Sequence, residues 1–207
     1  GGLHGINLTN CAGTFTVNGG TITNPIDNSV LISGGSVVVS CAAAIINNSS
    51  LAVRIENHDS GNVTFAGNIT ATNFGIQVSN CNGGTKTFSG SSKNLNTMAN
   101  TAVTLSANTG ATINFTNGGL AISTTSSTGF TATGGGTVNI GIGAANNTIT
   151  TTAAKAINLD GVLANVNFAT ISAGNVPTEG INLNNLSASS SFVVPGAVTL
   201  GMAAGSN

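Results

Sequence analysis

The chain has 207 residues, only 4% of them charged, with a formal net charge of −1 and neither Trp nor Tyr. That composition excludes a basic stripe or stacking platform for nucleic acid, and it leaves nothing to attract an anionic membrane surface. No apolar run approaches the ~20 residues of a membrane-spanning helix.

From the start of the chain the same element recurs: Gly5-Ile6-Asn7-Leu8-Thr9-Asn10 reads small, apolar, polar, apolar, polar, Asn, and Gly180-Ile181-Asn182-Leu183-Asn184-Asn185 repeats it. Looser copies have their first apolar residues at Val30, Val53, Ile76, Val103, Phe130 and Ile157. From Ile6 to Ile181 the steps are 24, 23, 23, 27, 27, 27 and 24 residues, an internal repeat that fills the chain and leaves no boundary to cut; residues 1–207 are therefore expected to form one domain.

Behind each anchor comes a second alternation, among them Phe15 and Val17, Val37 and Val39, Val63 and Phe65, Ile113 and Phe115, and Val166 and Phe168. A third, shorter one follows at Ile22, Ile45, Ile69 and Ala71, Leu95 and Met98, Leu120 and Ile122, Ile149, Ile171, and Val198 and Leu200. Period-two alternation with β-branched residues and Gly/Asn punctuation marks strands, and no window shows a helical period. Three short strands per repeat cannot bury their faces alone, so the repeats must stack and share a core. The expected fold is all-β: a right-handed parallel β-helix of about eight coils of 23–27 residues, three strands per coil, forming a column roughly 40 Å long at ~4.8 Å per coil. Coils four to six are the long ones, with Ser91-Ser92-Lys93-Asn94 and Ala144-Ala145-Asn146-Asn147 expected as corner loops. Asn10, Asn57, Asn80 and Asn185 close the first strand at one offset, where stacked amides could bond along the column; Gly at that place supplies positive φ instead.

Gly-Ile-x-Leu-x-Asn, followed by Gly13-Thr14-Phe15-Thr16-Val17 and Thr21-Ile22-Thr23, resembles the β-helix of exported bacterial surface proteins, similar to autotransporter passenger domains and filamentous-haemagglutinin-like adhesins. The resemblance covers nearly all of the chain. It implies secretion to the cell surface, an elongated shape and a structural or adhesive role, with host or surface glycans as possible partners. The same coil also carries pectate-lyase-like enzymes, so fold alone does not separate the two.

The densest ionisable run is Arg54, Glu56, His58 and Asp59. Carboxylate, imidazole and guanidinium within six residues suit acid–base chemistry or binding on a sugar; the plainer reading is a solvated pair at a coil edge. Polysaccharide hydrolysis or calcium-dependent elimination needs convergent carboxylates, whereas Asp27, Asp59 and Asp160 fall at different corners of different coils. No catalytic residue is therefore expected. Cys11 and Cys81 share an offset three coils apart, about 14 Å and beyond disulfide reach, and Cys41 is expected at another corner; the alternative is an intermolecular bridge. His4 and His58 are too far apart in register for a metal, no Cys/His spacing resembles zinc ligation, and no cofactor is expected. Thr pairs on the third strand (Thr21 and Thr23, Thr148 and Thr150, Thr170 with Ser172) resemble an ice-binding rank, interrupted at Ala121 and Asn47.

The first coil begins within a few residues of Gly1, and the last ends in Val198-Thr199-Leu200-Gly201-Met202 without an amphipathic helix. A solenoid exposes core and strand edges at both ends, so either more chain covers them or they cover each other head to tail. The opening Gly1-Gly2-Leu3-His4 also resembles a processed or excised segment.

Overall fold

The computed structural model describes residues 2–141 and 146–203. Every element in it is a strand. The coils comprise β1 (Ile6–Thr9), β2 (Thr14–Val17) and β3 (Thr21–Thr23); β4 (Val30–Ser33), β5 (Val38–Cys41) and β6 (Ala44–Asn47); β7 (Leu51–Glu56), β8 (Val63–Phe65) and β9 (Ile69–Ala71); and β10 (Phe74–Ser79), β11 (Thr85–Phe88) and β12 (Lys93–Met98). They continue with β13 (Val103–Ser106), β14 (Thr112–Phe115) and β15 (Leu120–Thr124); β16 (Phe130–Thr133), β17 (Thr137–Ile140) and β18 (Thr148–Thr151); β19 (Ile157–Asp160), β20 (Leu163–Asn167) and β21 (Thr170–Val176); and β22 (Ile181–Asn184), β23 (Ser191–Val193) and β24 (Val198–Met202).

First, second and third strands of successive coils pair in parallel into three sheets of eight, here sheets A, B and C, around one core. The result is a parallel β-solenoid of about eight turns. The eight anchors stand in one register on sheet A, Ile6 on Val30 on Val53 on Ile76, and so on to Ile181. Residue i+1 of each strand faces out and i+2 faces in, which is why Asn or Thr separates the buried pair. On sheet B the inward rank runs Cys41, Phe65, Phe88, Phe115. Phe65, Phe88 and Phe115 stack nearly parallel with centroids 5.5 and 5.0 Å apart, an arrangement offset aromatic pairs favour.

Three expectations need correction. Val37 and Val39 are buried as expected, but Cys41, which closes β5, is a core residue in register with Val17 and Phe65 and lies at no corner. Met98 does not join Leu95 on the inner face and is 50% exposed; the inward ranks of the third strands are Ile22, Ile45 and Ile69 in one and Ala71, Leu95, Ile122, Ile149 and Ile171 in the next. Lys93 and Asn94 open β12 instead of forming a loop, and Lys93 sits in the first of those ranks between Ile69 and Leu120. The added length of coils four to six falls largely at the corner from sheet C to sheet A, where Thr97, Thr124 and Thr151, all buried, bond the carbonyls of Asn100, Ser127 and Ala154 at 2.6, 2.5 and 2.5 Å. The second expected loop reaches into residues 142–145, outside the described residues.

The strand-closing position is left-handed in all eight coils: φ is 53° at Asn10, Asn57, Asn80 and Ala107, 48° at Asn185, and 67–74° at Gly34, Gly134 and Gly161. Seven of the eight are Asn or Gly, which both tolerate that backbone, and Ala107 is the exception. The amide ladder expected at this rank lies elsewhere. Asn165 Nδ2 donates to Asn139 Oδ1 and Asn139 Nδ2 to Asn114 Oδ1 on the outer face of sheet B, at 2.9 and 2.8 Å, and Asn182 to Asn158 likewise on sheet A at 2.8 Å.

Candidate functional site

Arg54 and Glu56 face outward on β7, as their spacing requires, and pair with each other: Arg54 Nε lies 2.9 Å and Nη2 2.7 Å from Glu56 Oε2. Immediately after the left-handed Asn57 the chain turns inward and carries His58 into the core, fully buried, with Nε2 3.1 Å from the Val37 carbonyl and Nδ1 unpartnered. The carbonyl partner places the imidazole proton on Nε2. Burial, and then the Lys86 charge, hold His58 below its ordinary value, so it is neutral at pH 7. Asp59 comes out on the far side of the turn, where Oδ1 accepts from Asn82 N and Nδ2 at 2.9 and 3.0 Å. The run from Arg54 to Asp59 is therefore divided among a surface pair, a core histidine and a turn cap.

Around His58 is a buried polar corner that the sequence pattern did not reveal. Cys81 and Asn108 occupy the same offset in the next two coils. Cys81 N donates to Asn108 Oδ1 at 3.0 Å and Asn108 Nδ2 to the Val78 carbonyl at 2.9 Å. Lys86 points inward from β11 in register with Val63 and Ile113, and its Nζ reaches the carbonyls of Gly83 at 2.7 Å, His58 at 3.1 Å and Gly61 at 3.5 Å. At the next corner Lys93 Nζ bonds the carbonyls of Gly90 and Thr116 at 2.5 and 2.9 Å. Burial pushes the Lys86 amine down from its ordinary value and the Lys93 amine down to about 8, while it pushes the Cys41 and Cys81 thiols up. The signal for Lys86 was available: in Thr85-Lys86-Thr87-Phe88 the lysine is in phase with an inward phenylalanine.

These amines and amides satisfy corner carbonyls that water cannot reach, which accounts for their presence. Asn47 does the same at the corner from sheet C to sheet A, donating to the Leu51 carbonyl at 3.0 Å and accepting from Ser50 N at 2.8 Å. It points inward and is fully buried, so it does not interrupt the outward Thr rank of sheet C; Ile46 and Ala121 stand in that rank instead. Cys11, Cys41 and Cys81 are free thiols, and only Cys11 is partly exposed. Among the described residues no group of three His, Cys, Asp or Glu side chains could hold a metal, and no helix is long and apolar enough to cross a membrane.

The two ends of the column present the remaining candidate surfaces. β1, β2 and β3 lie at one edge of their sheets and β22, β23 and β24 at the other, each paired on one side. Ile6, Leu8, Phe15, Val17 and Ile22 are partly buried at the first end; at the second, Leu183, Val198, Leu200 and Met202 are 43–52% exposed. The outer strand of the second end, Ile181-Asn182-Leu183-Asn184, nearly repeats Ile6-Asn7-Leu8-Thr9 of the first. No family model matches the chain, and neither a curated protein nor a solved structure is similar enough to show kinship, so what is established is the β-solenoid itself.

Proposed function

We propose that the protein is an extracellular structural or adhesive β-solenoid, exported to the cell surface and non-catalytic, that extends by end-to-end stacking into a filament. The observation that carries this reading is the match between the two ends. A strand laid on β22 must present small, apolar, polar, apolar, and β1 presents that pattern with nearly the same residues. In the outer-face amide stacks each Asn donates to the preceding coil, as Asn182 does to Asn158, and Asn7 of a second copy would continue the series by donating to Asn182. Burying the half-exposed apolar residues of both ends supplies the driving force, at about 25 cal/mol per Å². The contact is heterologous and does not close on itself, so it propagates.

Low charge and a surface of Thr, Asn and Ser suit a stiff, unreactive column. Electron microscopy of the purified chain at increasing concentration tests the proposal. Fibres with an axial repeat near 40 Å are expected, and they should be lost in Leu183→Lys, which places a charge on the exposed end. Short monodisperse rods at every concentration overturn it.

A further inference from the structure

Where the short corners of coils one to three give way to the longer, threonine-bracketed corners of coils four to six, the outer face of sheet A acquires a ledge. Residues 99–101, part of the added length, are tied to the preceding coil by Asn100 Nδ2, which donates to Asn73 Oδ1 at 2.7 Å. Under the ledge lies a groove of about 360 Å³ whose lining includes Phe74, Gln77, Asn100, Thr104 and Ser127. Phe74 is 40% exposed, the one phenylalanine among the exposed large apolar residues. The next residue, Gly75, sits tight against the neighbouring coil, where a Cβ would run into the Ala102 carbonyl. Gln77, three positions on, faces the same way and stands in register with Arg54 on one side and Thr104 on the other.

We infer that this groove binds a neutral saccharide. An exposed aromatic face offers negative quadrupolar charge to the C–H face of a pyranose ring. Around it are amide and hydroxyl groups able both to donate and to accept, the equipment that sugar hydroxyls need. The Asn100 amide is engaged with Asn73, but among the described residues the Gln77 amide and the Thr104 hydroxyl have no hydrogen-bond partner in the protein. Pockets of this size with a few polar groups set around an apolar wall are the usual form of a small-ligand site. The charge balance selects the class. No ionisable residue lines the groove, and the nearest charges, Arg54 and Glu56, neutralise each other at 2.7 Å, so a polyanionic chain would lose hydration without finding a counter-charge. The inference deepens the adhesive side of the proposed function, and it uses a lateral face that end-to-end stacking leaves open.

Affinity electrophoresis in gels cast with β-1,3-glucan, mannan, galactan or polygalacturonate tests it. Retardation by at least one of the three neutral polymers is expected. Phe74→Ala and Gln77→Ala should each weaken it at least tenfold, while Asn165→Ala on sheet B leaves it unchanged. Thermal melting of the variants, in which these surface changes are expected to keep the wild-type transition, separates loss of binding from loss of fold. Retardation by polygalacturonate alone, no retardation by any polymer, or retardation indifferent to Phe74→Ala each overturns the inference. Fibre formation by Phe74→Ala is scored in parallel: fibres without sugar binding leave the filament standing, and sugar binding without fibres leaves the groove standing.

Discussion

Coils seven and eight carry almost the same first strand, Ile157-Asn158-Leu159-Asp160 and Ile181-Asn182-Leu183-Asn184, in perfect register. Yet Leu159 is fully buried and Leu183 is 43% exposed. The same contrast runs around the coil: Ile171 is 1% exposed and its neighbour Val198 is 47% exposed. Sequence and backbone are alike; what differs is whether a coil lies on the outer side. A repeat of this kind owns only part of its core, and the remainder belongs to the interface between repeats.

That difference sets the largest expected effect. Leu159→Ala removes a side chain packed on all sides and should cost about 2–5 kcal/mol in urea denaturation of the dilute chain. Leu183→Ala, already half in water, should cost about 1 kcal/mol under the same conditions. Raising the protein concentration sharpens the comparison: if a second copy seats on β22, the Leu183 cost climbs toward the Leu159 cost, because binding that the native state alone can make adds to stability. Equal costs in dilute solution would break the contrast.

The middle coils differ from the last one in a second way, since they hold the buried amines. For Lys93 the unfolded amine titrates near 10.5 and the folded one at about 8. Above pH 10.5 both states are neutral and the fold is at full strength. As pH falls through this window the unfolded chain takes up a proton that the folded chain resists, and stability declines by about 1.4 kcal/mol per pH unit until the folded amine is also charged. Lys86 acts in the same direction, as does His58 below its ordinary value of 6.5. The buried thiols Cys41 and Cys81 oppose this above 9.0, where the unfolded thiol ionises and the folded one does not. Stability should therefore rise from pH 8 toward 9 and then level or turn down. Lys93→Met should flatten the rise by its own share, measured as the change in denaturation free energy between the two pH values; an unchanged slope means that this amine does not titrate there.

The register of the column was legible because apolar alternation reports which face is buried, and the eight anchors fall where their spacing put them. The ends were legible for the same reason. Lys86 was legible too, in phase with inward Phe88; Lys93, His58, Asn47 and Asn108 were not, because their burial answers to carbonyls at corners, and corner geometry leaves no periodic trace in the residues. The division of Arg54 and Glu56 from His58 follows from one left-handed residue, Asn57, whose conformation the pattern suggested but whose effect on direction it did not. The ledge over Phe74 was visible only as extra length in coils four to six; the threonine brackets at Thr97, Thr124 and Thr151, spaced 27 apart, were the signal that would have located it.

The smallest expected effect separates local terms from shared ones. Asn80 in the middle of the column and Asn185 in the last coil have nearly the same backbone, with φ of 53° and 48°. An Ala at a left-handed position costs about 1 kcal/mol relative to Asn, because its Cβ crowds the following carbonyl and no side-chain polar group offsets the strain. That cost belongs to one residue's own dihedrals, so Asn80→Ala and Asn185→Ala should lose similar amounts, in contrast to the leucine pair. The Asn185 amide adds only a long contact to Asp160 at 3.4 Å. Coil five already carries the substitution: Ala107 sits at φ 53°, and Ala107→Asn should gain roughly what Asn80→Ala loses. If Asn80→Ala instead costs several times more than Asn185→Ala, the turn also depends on its neighbours, and the division into local conformation and shared burial fails at this rank.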